Sequence, residues 1–231
     1  MSAELTASPL FGIGATLLIY ELATLLYRRW PLALLNPVLV TIVGLIGLLQ
    51  AVHIPYDSYR RGGDMILFLL GPAVVALGLP LYQRRQEVLA RLVPILCGVS
   101  AGAVASIVSA CGLVLLFGGG TELALSLAPK SVTTPIAIGI AQKTGGIPAL
   151  TASVVVMTGC LGAIIGPEFC RLIGVRDPVS MGLAMGTASH GLGTGRMLEI
   201  HLLGGAIAGL AIGLNGIITA LLVPLFDWLF F

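Results

Sequence analysis

An all-α, polytopic integral membrane protein is the fold class that this sequence predicts, and three observations predict it. Of 231 residues, 57% are hydrophobic and only 10% carry charge, against about 25% in a soluble domain. The mean hydropathy is +1.05. The apolar residues fall into runs near the roughly 20 residues that cross a bilayer core as a helix, separated by polar or Gly/Pro-rich breaks. Too little polar surface is left to solvate a globule. The net charge of +2 is spread between apolar runs rather than gathered on one face. Membrane lipid is therefore the expected surrounding, and nucleic acid is not an expected partner.

The runs give about seven transmembrane helices plus one re-entrant or broken segment. The first run covers residues 9–27 and ends at Arg28-Arg29; the second covers 36–53. The third, 65–82, is interrupted by Gly71-Pro72 and Pro80, and the fourth, 92–117, stops at Gly118-Gly119-Gly120. Residues 122–146 carry Pro129, Lys130, Thr133, Thr134, Pro135 and Lys143, which suits a re-entrant element better than a full span. Residues 147–170 form the next run, a glycine-rich window fills 177–199, and 201–228 is the last apolar run. Glu4 and the absence of Lys or Arg before the first run argue against a cleaved signal peptide.

Loop charges orient these segments. Arg28-Arg29, the group Arg84, Arg85 and Arg91, and the pair Arg171 and Arg176 all become cytoplasmic if the N-terminus is outside and 122–146 re-enters from the outside. Arg60 and Arg61 then lie on the outer side and violate the rule. The expectation is a multi-pass protein of a bacterial inner (cytoplasmic) membrane, built as one domain over 1–231.

A faint repeat relates 30–117 to 129–230. Gly71, Ala73, Leu77 and Gly78 align with Gly186, Ala188, Leu192 and Gly193, and Asn36-Pro37 echoes Thr134-Pro135. Chance matching in a chain so rich in Gly, Ala and Leu stands beside that reading. Inverted repeats whose broken helices meet near the midplane are a transporter architecture. Cys97, Cys111, Cys160 and Cys170 lie in or beside apolar runs without a CxxC pair, so free thiols are expected rather than metal ligands or disulfides.

The polar windows are the candidate sites. In lipid, irregular backbone survives only when buried in protein or lining a watery cavity. Residues 177–199 hold Gly182, Gly186, Gly191, Gly193 and Gly195 together with Thr187, Ser189, Thr194, His190, Arg196 and Glu199. Arg196 either grips a substrate carboxylate in bidentate fashion or pairs with Glu199 one turn on. His190 either moves a coupling proton, with Glu199 as a second candidate, or bonds carbonyls freed by a helix break. Thr133 and Thr134 offer hydroxyls at a helix start where backbone amides favour an anion, or they only satisfy backbone groups that Pro135 leaves open. Asn36 is the first-half counterpart. Lys130 is placed between an interface position and a substrate role, and Glu168 between a coupling proton and an exposed loop. Thr187, Ser189, Thr133, Thr134, Asn36, His190 and Arg196 form the expected substrate-binding set. No catalytic set, P-loop, metal cluster or cofactor motif is present, so no enzyme is expected.

Four stretches carry a resemblance to a known family. They are KSVTTPIAIGIAQKTGGIPALTA (130–152), GLAMGTASHGLGTGRMLE (182–199), LNPVLV (35–40) and LGPAVVALGLPLY (70–82). Together they resemble the LrgB/CidB family. The resemblance implies a membrane protein named antiholin-like or holin-like, with a proposed role in controlling murein hydrolases and autolysis beside a small LrgA/CidA-type membrane protein. It also implies a link to carriage of small carboxylates such as pyruvate, glycolate and glycerate, through relatives that include a plastid protein. Gly195-Arg196-Met197-Leu198-Glu199 departs mildly from the family's small-Arg-Ala-Leu-Glu pattern but keeps Arg196 and Glu199. The combined expectation is a secondary carrier of small monocarboxylates, working as a homodimer, with the antiholin-like regulator as the rival.

Overall fold

A computed structural model describes residues 8–30, 35–69, 72, 75–76, 78–83 and 85–230. Glu4, Gly71, Ala73, Leu77 and Arg84, used above for the N-terminus, the repeat and the loop charges, lie outside the described residues. Among the described residues there are eleven helices and no strand: α1 Pro9–Arg29, α2 Pro37–Ala51, α3 Tyr56–Phe68, α4 Gly78–Gln83, α5 Arg85–Ala90, α6 Leu92–Leu116, α7 Thr121–Leu127, α8 Thr134–Thr144, α9 Pro148–Leu172, α10 Pro178–Ile200 and α11 Leu202–Phe230. The chain divides into two compact units, Met1–Ala76 and Leu77–Phe231.

The first unit holds α1, α2 and α3. Ser8 caps α1, and Pro9 follows at the first turn, where its missing N–H costs nothing. Gly12 of α1 lies against the backbone of Tyr59 and Gly62 on α3, so the two helices touch without intervening side chains. Thr16 Oγ1 and Tyr59 Oη meet at 3.0 Å in the same contact. Arg60 and Arg61 sit within α3 rather than in a loop, and Arg60 pairs with Asp64 at 3.5 Å.

The second unit is built from three long apolar helices, α6, α9 and α11, and two helical hairpins. One face is marked by Arg91 at the start of α6, which reaches Asp177 at the start of α10 at 3.4 Å. Arg171, Pro178 and His201 border one small cavity there, so the end of α9, both ends of α10 and the start of α11 share that face. The opposite face gathers Val114 of α6, Ala124 of α7 and Val223 of α11 in one cluster. The Ile147 amide, just before α9, donates to Ser126 Oγ at 2.7 Å on that side. Hence α6 and α11 run one way and α9 the other.

Four described helices are long and apolar enough to cross a membrane: α1, α6, α9 and α11. The expected count of about seven is not reached among them, for physical reasons. α2 has only 15 residues, roughly 22 Å of rise. α7 and α8 together form a short broken pair. The glycine-rich window does not cross, because α10 doubles back at His190. Met181, Met185 and Met197 from its two limbs share one cluster, and a Cβ placed on Gly193 would stand 2.6 Å from the Met185 carbonyl.

Glycine makes this folding-back possible. Gly182 and Gly186 lie directly on the backbone of Gly204 and Ala208 in α11, the close helix approach that small residues permit in membranes. Gly162 and Gly166 of α9 likewise receive Ser189 and Met185. Gly186→Val drives a branched side chain into the Ala208 backbone and is expected to cost about 1–3 kcal/mol or more. Gly195→Ala, where a Cβ meets open space, is expected to be tolerated. Thermal unfolding of the two variants in detergent checks the contrast.

Candidate functional site between two hairpin tips

The first hairpin breaks between Leu127 and Thr134. Pro129 occupies the link, and Thr133 stands as the N-cap of α8 with a proline in its first turn. The tip reaches the middle of the unit: Ser131 Oγ lies 2.7 Å from Ser106 Oγ, halfway along α6. The second hairpin breaks at His190, whose φ of 41° and ψ of −131° lie in a region that favours glycine. Its ring holds it there. His190 Nε2 and the Val155 carbonyl of α9 are 3.0 Å apart, and the residue is buried. Thr194 Oγ1 donates back to the His190 carbonyl at 3.0 Å. The two hairpins therefore enter from opposite faces, and the first turns of α8 and of the returning limb of α10 both begin at depth.

A cavity of about 720 Å³ runs from Arg91 and Ser180, at the starts of α6 and α10, in to the two tips. Lys130, Ser131, Ser106, Thr158, Thr187 and Ser189 line its inner part, with Arg91 and Ser180 also on its wall. Lys130 Nζ donates to Ser106 Oγ at 3.0 Å and to Ser131 Oγ at 3.3 Å. No carboxylate lines the cavity among the described residues, and Lys130 has no ion-pair partner among them. Thr187 Oγ1 is buried and has no hydrogen-bond partner among the described residues. A half-buried cation held by hydroxyls, beside a buried hydroxyl without a partner among the described residues, is chemically suited to an anion. An ionised group taken from water needs a counter-charge, and the hydroxyls can turn their protons toward one.

The sequence-derived set is only partly gathered here. Thr187 and Ser189 line the cavity, and His190 sits beside them at the tip, turned onto α9. Thr133 and Thr134 begin α8 and are half-buried, outside the cavity wall. Arg196 lies on the returning limb and donates to Glu199 at 2.7 Å. Glu168 pairs with Arg171 at 2.9 Å on the surface. Asn36 belongs to the first unit, where its side-chain oxygen accepts from the Val38 and Leu39 amides and caps α2. The four cysteines are free, with Cys111, Cys160 and Cys170 buried.

Two residues stand outside the expected substrate-binding set. Lys130, open in the sequence between an interface position and a substrate role, lines the cavity. Asn215, the lone amide in the 29-residue α11, was not singled out at all. Its signal was available: an amide in the middle of an apolar span is costly unless bonded.

A sequence model of the LrgB-like family matches residues 16–229. The chain belongs to the LrgB-like family. It is 40% identical over 205 residues to the uncharacterized protein YxaC of Bacillus subtilis (strain 168), covering 89% of each chain. It is 32% identical over 222 residues to the antiholin-like protein LrgB of Bacillus mycoides (strain KBAB4), covering 96% of each. An uncharacterized protein of Haemophilus influenzae is 35% identical over 205 residues, again 89% of each chain. No solved structure matches it. The match over most of the chain, with its long apolar helices, makes this LrgB-like chain a multi-pass membrane protein.

Two outcomes follow from the geometry. At position 190, glycine accepts the positive φ without a Cβ, whereas alanine keeps the strain and loses the ring contact. His190→Ala is expected to be less stable than His190→Gly by about 1 kcal/mol, read by thermal unfolding. At the mouth, Asp177 caps α10: Ser180 N and Ser180 Oγ each donate to Oδ2 at 2.9 Å. The Ser180 amide above all, with the Ser180 hydroxyl and Arg91, holds this carboxyl below its ordinary range despite some burial. Its contribution to stability is then full above the ordinary carboxylate value, about 3.9, and is lost as pH falls through the lower folded value. Unfolding of wild type and Asp177→Ala should differ at pH 6 and converge on strong acidification.

Proposed function

We propose that this LrgB-like chain is a secondary carrier of small monocarboxylates in a bacterial cytoplasmic membrane. The observation that carries the reading is Lys130, a cation at the depth of two opposed hairpin tips, in a cavity where Ser106, Ser131, Thr187 and Ser189 supply hydroxyls and no carboxylate lines the wall among the described residues. The starts of α8 and of the returning limb of α10 add amide-rich, positive helix ends nearby. One carboxylate oxygen would take Lys130, and the hydroxyls of Ser131, Thr187 and Ser189 would take the remaining lone pairs. The face holding Arg91, Arg171 and Arg176 is assigned to the cytoplasm. Alternating access then means exposing the tips first to one face and then to the other. His190 is the proton-coupling candidate, and the chain is assigned no covalent chemistry. A homodimer is the proposed assembly.

The names of the relatives favour a second reading. A relative in Bacillus mycoides is named antiholin-like protein LrgB, which fits the role implied by the family resemblance: a regulator of murein hydrolase activity and autolysis acting with a small LrgA/CidA-type membrane protein. The relatives named above include no transported substrate, so the carrier reading rests on the cavity. The two separate cleanly: a Lys130 substitution that changes lysis without altering carboxylate flux favours the regulator.

The direct test is uptake of labelled pyruvate and glycolate into proteoliposomes, with and without a proton gradient. Wild type is expected to show saturable uptake, and Lys130→Met to lose at least about tenfold, as for removal of a charge-assisted hydrogen bond. Arg196→Ala, whose guanidinium is engaged with Glu199, is expected to retain more uptake than Lys130→Met. His190→Gln should remove the response to the proton gradient. Absence of uptake by well-folded wild-type protein, alone and with the small partner, would overturn the carrier reading.

A further inference from the structure

Breaking a helix strands carbonyls. In an unbroken α10 the Thr187 carbonyl would face the Gly191 amide one turn on, but the backbone turns aside at His190 between them. The Ser131 carbonyl lies on the non-helical link between α7 and α8. Both are deep in an apolar unit, where an unsatisfied carbonyl is costly. A single side chain serves both. Asn215 Nδ2 donates to the Ser131 carbonyl at 3.1 Å and to the Thr187 carbonyl at 3.0 Å. Its Oδ1 accepts from Thr219 Oγ1, one turn further along α11, at 3.3 Å. Asn215 is fully buried, and Thr219 is buried beside it.

The donor count makes the arrangement specific. An amide nitrogen has two protons, and here each goes to a different hairpin. The two carbonyls only accept, so they fix which amide atom is the nitrogen, and the Thr219 hydroxyl donates to the remaining oxygen. Asn215 stands near the middle of α11, so the tie lies at the level where hairpins from opposite faces meet. Lys130 adjoins one tied residue, and Thr187 is the other. Separating the tips would therefore separate the ammonium from the unpartnered hydroxyl.

We infer that Asn215 is a positioning residue: it ties the two hairpin tips together and so sets the width of the anion site between Lys130 and Thr187. The anion part of this inference rests on the carrier reading; the tie does not. Asn215 touches no substrate and acts through the two carbonyls.

The test has two readouts on the full chain. In a background with the four native cysteines replaced by alanine, Ser131→Cys and Thr187→Cys are joined by a short bifunctional thiol reagent, and the linked peptides are quantified by mass spectrometry. Asn215→Asp keeps the shape but, as the neutral acid that a buried site favours, has one proton and can serve only one of the two carbonyls. It is expected to lower tip cross-linking at least about fivefold, the scale of losing buried hydrogen bonds. In the cysteine-unmodified chain it should raise the KM for pyruvate at least about tenfold, with kcat within about threefold, the pattern of lost binding rather than lost turnover. Asn215→Gln, which restores the amide on a longer stem, should recover part of both; it carries the comparison if Asn215→Asp does not fold. Unchanged cross-linking in the folded variants overturns the tie. Lowered cross-linking with an unchanged KM overturns the positioning role. Cross-linking that falls in a protein whose wild type takes up neither pyruvate nor glycolate, alone or with the small partner, supports the tie and overturns the carrier reading instead.

Discussion

In hydrocarbon no water is available to replace a lost backbone hydrogen bond, and the second unit is arranged around that constraint. Two helices are broken where a membrane helix would ordinarily continue, and each break leaves carbonyls that must be met from within the protein. Asn215 answers one carbonyl from each hairpin, His190 binds the Val155 carbonyl, and Thr194 closes on the His190 carbonyl. These contacts lie between the two faces of the unit. The same breaks that create the demand also bring Lys130, Thr187 and Ser189 to one cavity.

Packing around the breaks follows from side-chain size. The returning limb of α10 fits because Gly193 lets it pass the Met185 carbonyl, and α10 meets α11 through Gly182, Gly186, Gly204 and Ala208. Branched residues at those points would hold the helices apart and widen the space between the tips. Larger apolar residues form two clusters instead: Ile107, Val114, Val132, Ile140, Val155 and Val223 around the first hairpin, and Ile95, Val99, Val179 and Ile207 beside the second. Apolar clusters thus flank a polar, hollow cavity. That distribution is what a site for a small charged solute requires, and it sets this chain apart from a simple bundle of apolar helices.

Much of the site's chemistry was readable in the chain and much of its geometry was not. Thr187, Ser189 and His190 stand out because polar residues among glycines have little use in a plain span. Arg196 stood out for the same reason, but its neighbour Glu199 engages it on the returning limb. Lys130 reads as interfacial in one dimension, since nothing in the residues 128–133 says how deep the link runs. Depth is decided by Ser106 and Asn215, 24 and 85 positions away respectively, by subtraction of the residue numbers. Asn36 resembled a partner for Thr134 because both precede proline, yet its oxygen is occupied in capping α2.

By itself the sequence determined the membrane class, the all-helical composition, the family and the positions of the polar breaks. All of these depend on composition and local patterning: hydropathy, Gly and Pro placement, and motif spelling. Tertiary structure alone decided that the glycine-rich window folds back instead of crossing, and that Lys130 shares a cavity with Thr187. It also decided that one amide in the last helix serves both tips. These outcomes depend on which distant groups meet the carbonyls that a broken helix exposes, and hydrogen-bond partners far apart in the chain leave no periodic trace in it.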